Sequence, residues 1–122
     1  MPQIKKSPNK ERRFVLGEKD AAKQDALANG GGYIDINPLA LKTLEDGKID
    51  PFLIYEQAVR KQMEDKIERF DFVQMDVDAI LNDWNGKPSE QAPIPVRLVL
   101  WMKENAASNG YQQSGNSWIL KK

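Results

Sequence analysis

Residues 50–72 read DPFLIYEQAVRKQMEDKIERFDF, and the two periodicities inside them set the architecture. Phe52, Tyr55, Val59, Met63, Ile67 and Phe70 recur three or four residues apart. That spacing predicts an amphipathic helix over 51–69 with one buried stripe. Asp50 supplies a capping oxygen and Pro51 suits the first helical position. Glu56 with Arg60 and Asp65 with Arg69 form acid-first pairs one turn apart on the opposite, solvated face. At Phe70-Asp71-Phe72 the period drops to two, the signature of a strand or an extended link.

Upstream, Phe14-Val15-Leu16 stopped by Gly17 reads as a short strand. Residues 18–28 read as a helix whose apolar positions are mostly alanine, and Tyr33-Ile34-Asp35-Ile36 as a second strand. Between them the Gly30–Gly32 run has no Lys-Ser/Thr pair and leads into a strand, not a helix, so it reads as a hinge and not as a phosphate loop. Asn37-Pro38 opens a short helix over 38–45. Asp46-Gly47-Lys48-Ile49-Asp50 has the look of a calcium-loop centre. With Gly47 in the sixth position, however, the first, third and last positions are Lys42, Leu44 and Leu53, none of which supplies a carboxylate. The segment is a helix stop followed by a new cap.

Downstream, Asp76 caps a helix over 77–84, and 87–93 is a loop rich in Pro, Ser and Gln. Residues 95–108 alternate like a strand at first, but Pro95 and the run Lys103 to Ala107 favour a helix. Tyr111-Gln112-Gln113 and Ser117-Trp118-Ile119-Leu120 flank Ser114-Gly115-Asn116 as a β-hairpin. The expected fold is α+β: a helix-dominated single domain over 14–122, with a small antiparallel sheet built from the Phe14 and Tyr33 strands and the C-terminal hairpin. Residues 1–13 hold Lys5, Lys6, Lys10, Arg12 and Arg13 against Glu11, a formal +4, and read as a flexible basic tail.

The chain has 122 residues, a formal net charge of zero, and neither cysteine nor histidine. Disulfides, thiolate nucleophiles, imidazole bases and His-ligated metals are therefore excluded. No stretch approaches the roughly 20 apolar residues of a membrane span, and the N-terminus has no apolar signal core. The expectation is a cytoplasmic chain without a cofactor or a bound metal.

From Phe70 to Gly86 there is no basic residue, and Asp71, Asp76, Asp78 and Asp83 give that segment a charge of −4. Its cap and first-turn acids suit the helix dipole, and the rest reads as a solvated acidic face able to dock on a partner. Trp84 at a helix end and Tyr111 and Trp118 in the hairpin are of the residue types that anchor interfaces. Asp71, Asp78, Asp83, Trp84, Tyr111 and Trp118 are accordingly the partner-contact candidates.

A helix-turn-helix order over 38–69 does not read as DNA-binding, because the second helix opens on Phe52, Leu53, Ile54 and Tyr55 where base-contacting side chains belong. The leading expectation is a non-enzymatic protein-interaction module: an assembly factor, adaptor or inhibitor, of the size and style of phage and mobile-element accessory proteins. The alternative is nucleic-acid association through Lys5, Lys6, Lys10, Arg12 and Arg13, which lack interleaved aromatics. A third reading, Mg²⁺-dependent carboxylate catalysis, needs Asp35, Asp71 and Asp76 to converge.

Overall fold

The structure, a computed structural model, describes residues 3–7, 13–35 and 38–121. Strands β1 (Gln3–Ser7) and β2 (Arg13–Gly17) precede helix α1 (Lys19–Asn29), strand β3 (Gly31–Asp35), and helices α2 (Pro38–Asp46) and α3 (Phe52–Glu64). Strand β4 (Arg69–Val73), helices α4 (Val77–Asp83) and α5 (Ile94–Asn105), and the hairpin β5 (Tyr111–Ser114) and β6 (Ser117–Leu120) complete the order. The six strands form one sheet in the order β1-β3-β2-β4-β6-β5. The α+β class and the C-terminal hairpin are as the sequence reads. The sheet, however, is larger and mixed: β2 runs parallel to both β3 and β4, while the remaining pairs are antiparallel.

Period-two alternation assigns each strand's side chains to a face. Phe14 and Leu16 of β2, Ile34 of β3, Phe70 and Phe72 of β4 and Trp118 of β6 join one core with residues of α3, α4 and α5. Val15 and Tyr33 face the other way and pack against Ala22 and Ala26 of α1. The alanines of α1 therefore serve close approach to the sheet: Ala26 is fully buried, and small side chains let the helix lie near the strands it crosses.

The stripe predicted over 51–69 is buried as read, but its helix stops at Glu64. Lys66 takes a left-handed conformation (φ 56°), its N–H donates to Met63 O at 3.1 Å, and Ile67 N–H donates to Gln62 O at 3.3 Å. That pair of bonds is the closing pattern of a helix C-terminus. It turns the chain so that Ile67 and Phe70 reach the same core from a loop and from β4. The Asp50 cap is present, accepting from Phe52 N–H at 3.0 Å, and Asp50 also holds Arg97 of α5 at 2.8 Å. The Asp76 cap is present too, accepting from Ala79 N–H at 3.1 Å. Asn37, expected to cap α2, lies outside the described residues.

Gly30–Gly32 is not a hinge. Gly31 and Gly32 lie in β3, and a Cβ on Gly31 (φ 126°) would sit 3.1 Å from Arg13 O of β2. Gly17, at φ 127°, is more restricted still, because a Cβ there would meet Val73 O at 2.8 Å. Backbone strain and a clash with a fixed carbonyl act together at this position. Gly17→Ala is expected to destabilise the protein by about 2 kcal/mol, read from the urea midpoint, and an unchanged midpoint would refute the close β2–β4 approach.

Gln3–Ser7, read from composition as part of the tail, is strand β1, antiparallel to β3 with Gln3 opposite Asp35 and Ser7 opposite Gly31. Residues 1–2 and 8–12 lie outside the described residues.

Candidate functional site

Two constellations among the described residues hold side chains that the sequence singles out. The first is buried. The parallel register of β2 and β4 sets Arg13 beside Arg69 and Val15 beside Asp71. Two like charges in register on one face repel, and Asp71 stands one pleat along to compensate both. Its Oδ1 accepts from Arg69 Nε at 2.9 Å and from Ser117 Oγ at 2.5 Å, and its Oδ2 accepts from Arg13 Nε. Arg13 further pairs with Asp25 of α1 at 2.6 Å and donates to Gly30 O at 2.8 Å. Burial pushes the Asp71 carboxyl up, but the bonds from Ser117, Arg13 and Arg69 outweigh it and hold the group below the ordinary carboxylate range. Desolvation likewise opposes the Arg13 charge, and its carboxylate partners raise it above the ordinary guanidinium value.

This network ties α1, β2, β4 and β6 together, and both oxygens of its central carboxylate, Asp71, are engaged. Asp71, expected on a contact surface, is only 7% exposed and is bound on both oxygens. A carboxylate flanked by two guanidiniums offers a cation no vacancy, and Asp76 is engaged at the α4 cap. The convergence required for Mg²⁺ chemistry is not met at these two residues. Among the described residues no three acidic side chains are grouped as a metal site needs.

Tyr111 and Trp118 also correct the contact set. Tyr111 is 1% exposed, donates its hydroxyl hydrogen to Ile67 O at 2.6 Å and packs edge-on against Phe70. Trp118 is 3% exposed with its ring edge-on to Phe72. The hairpin register pairs Gln113 with Trp118 and Tyr111 with Leu120, so both aromatics fall on the face turned to the core. Of the basic set, Arg13 is engaged as above and is unavailable to a phosphate. Lys5 and Lys6 belong to β1, while Lys10 and Arg12 lie outside the described residues.

The second constellation is open to solvent. Asp78 and Asp83 are exposed on α4, with Asp78 accepting from Gln113 Nε2 at 2.9 Å. Trp84, half-buried at the end of α4, has the Lys87 ammonium 5.6 Å from its ring centroid. Together with Leu81 and with Leu100 of α5, Trp84 lines a groove of about 440 Å³ that is bordered by Lys87, Lys103 and Glu104. The sequence reading singled out Trp84 but missed its α5 neighbours. Leu100 lies three and four residues before Lys103 and Glu104, on a different side of α5 from the buried Leu98, Val99, Trp101 and Met102. An apolar residue in step with two charges marks a helix edge where the core ends.

Comparison of the chain with protein-family models, curated proteins and solved structures gives no match. No helix among the described residues is long and apolar enough to cross a membrane.

Proposed function

We propose that the chain is a non-enzymatic protein-interaction module, an assembly factor, adaptor or inhibitor of the cytoplasm, that binds its partner through the groove between α4 and α5. The observation that carries this reading is Trp84, an aromatic side chain only half-buried beside Leu81 and Leu100 and ringed by Lys87, Lys103 and Glu104. An aromatic anchor on an apolar floor with a charged rim is the arrangement in which interface energy concentrates. Asp78 and Asp83 are exposed on the same helix, α4, outside the groove lining. The buried Arg13–Asp71–Arg69 network supports the same reading from the other side, because its groups are committed to holding the sheet.

The test compares wild type with Trp84→Ala as bait in a nuclease-treated lysate of the native host, followed by affinity measurement on the captured protein. Trp84→Ala is expected to cost only about 1–2 kcal/mol of stability, since the ring is half-exposed, and to weaken the partner at least tenfold. Equal retention by the variant would refute the groove. Recovery that depends on nucleic acid would replace this reading with nucleic-acid association through the basic residues of 1–13.

A further inference from the structure

Three Asn-Gly steps punctuate the chain, at Asn29-Gly30, Asn85-Gly86 and Asn109-Gly110. Each carries the same latent reaction. The backbone nitrogen of the glycine can attack Cγ of the preceding side-chain amide, and a residue without a Cβ hinders that approach least. The N–Cγ bond forms, the Cγ–Nδ2 bond breaks, and Nδ2 departs as ammonia with the proton lost by the glycine nitrogen. Water then opens the resulting succinimide at either carbonyl, leaving aspartate or isoaspartate. The reaction needs a glycine N–H free of other bonds and an asparagine side chain free to fold back on it.

The fold withholds these conditions from two of the three steps. Asn29 is the last residue of α1, and the buried Gly30 donates its N–H to Ala26 O at 2.8 Å. At Asn109 both reacting groups are held: Nδ2 donates to Asn105 O at 2.7 Å, and Gly110 N–H donates to Ala107 O at 3.2 Å. Asn85-Gly86 differs on each count. It lies in the turn after α4, and both residues are exposed. The bonds of the turn fall to either side of the reacting nitrogen, from Asn85 N–H to Asn82 O at 3.4 Å and from Lys87 N–H to Trp84 O at 3.0 Å. Neither the Gly86 N–H nor the Asn85 carboxamide has a hydrogen-bond partner among the described residues. Beyond the chain neighbours of Gly86, nothing lies within 4 Å of the place a Cβ would take on it, so ring closure displaces no packed group.

We propose that Asn85 is a modification site, deamidating spontaneously through a succinimide with Gly86, while the fold protects Asn29 and Asn109. The product alters the Trp84 groove, which Asn85 and Gly86 help to line. Two cations, Lys87 and Lys103, against Glu104 give the described lining a formal +1. The new carboxylate cancels that charge, and isoaspartate also lengthens the backbone beside Trp84 by a methylene. The reaction requires only the turn, so its absence would leave the groove reading untouched.

Ageing the full chain at mildly alkaline pH, folded or unfolded in guanidinium, followed by tryptic mass mapping, tests the proposal. The three steps fall in separate peptides, residues 24–42, 70–97 and 104–121, because Pro88 blocks cleavage after Lys87. In the folded protein the mass gain of amide to acid is expected in 70–97 alone, localised to Asn85 by fragmentation, with aspartate and isoaspartate both present. In guanidinium all three peptides are expected to convert at similar rates. Asn85→Gln is expected to abolish the gain in 70–97, since the longer side chain closes a less favoured ring. Gly86→Ala is expected to slow it about tenfold. Conversion of folded 24–42 or 104–121 as fast as 70–97, a gain at Asn82 in place of Asn85, or an unchanged folded 70–97 once its unfolded counterpart has converted would overturn the proposal. So would a difference among the peptides that persists in guanidinium, or an undiminished gain in Asn85→Gln. Should Gly86→Ala fail to fold, Asn85→Gln and the guanidinium comparison decide.

Discussion

Asp71→Asn is expected to lower the unfolding free energy by about 3 kcal/mol at neutral pH. The carboxylate compensates two arginines that the β2–β4 register holds side by side. Removing its charge leaves Arg13, whose side chain is 12% exposed, without its inner partner and facing a second cation. Arg69 is 39% exposed and partly screened by water, which places the loss at the lower end of the range for a broken buried pair. Because the folded carboxyl sits below its ordinary value, the stabilisation is complete above the unfolded carboxylate pKa of about 3.9. It drains away as pH falls below that toward the lower folded value. Urea unfolding at pH 7, 4.5 and 3 checks both parts. Wild type should lose stability between the last two points more steeply than the variant, and coincident curves at pH 7 would show that the network contributes nothing.

Trp118→Ala is expected to cost about 3–5 kcal/mol, enough to unfold a marginal domain near its working temperature. Trp118 is 3% exposed and its ring centroid lies 5.6 Å from that of Phe72, so truncation opens a cavity in the core it belongs to. A residue that anchors a partner behaves the opposite way, leaving stability nearly intact while affinity falls. The denaturation midpoint alone distinguishes the two roles: a loss under about 1 kcal/mol would return Trp118 to the contact surface.

Much of the fold is legible in local pattern. The stripe from Phe52 to Phe70, the caps at Asp50 and Asp76 and the hairpin around Gly115-Asn116 all rest on interactions within a few residues, and all are present. What is not legible depends on distant partners. The α3 stop is made by Lys66 in the conformation that glycine usually supplies, so no glycine marks it in the sequence. Asp71 reads as a surface acid because its donors come from residues 13, 69 and 117. Arg13 reads as tail because nothing nearby in sequence shows that Asp25 and Asp71 await it. For Tyr111 and Trp118 a signal was present: alternation across a two-residue turn puts both on one face, and a hairpin face with two large aromatics is a core face. Of the six contact candidates, those left accessible, Asp78, Asp83 and Trp84, are the ones on or ending α4, where the acidic reading and the exposed position agree.

The place of β6 within the sheet governs when the fold can be completed. This strand, Ser117–Leu120, lies between β4 and β5, and its turn residue Asn116 both accepts from Phe72 N–H at 2.9 Å and caps α4 through Val77 N–H at 3.0 Å. Its neighbour β4 pairs on the other side with β2, more than 50 residues earlier. During synthesis β2 and β4 can meet first, but one flank of β4, the N-terminus of α4 and the space filled by Trp118 wait for the last strand to arrive. Loop closure over such separations slows folding, and an unpaired hydrophobic strand edge attracts other chains in the interval. A nascent chain halted before residue 117 therefore presents β4 as an open edge, the state most exposed to aggregation and to capture by chaperones.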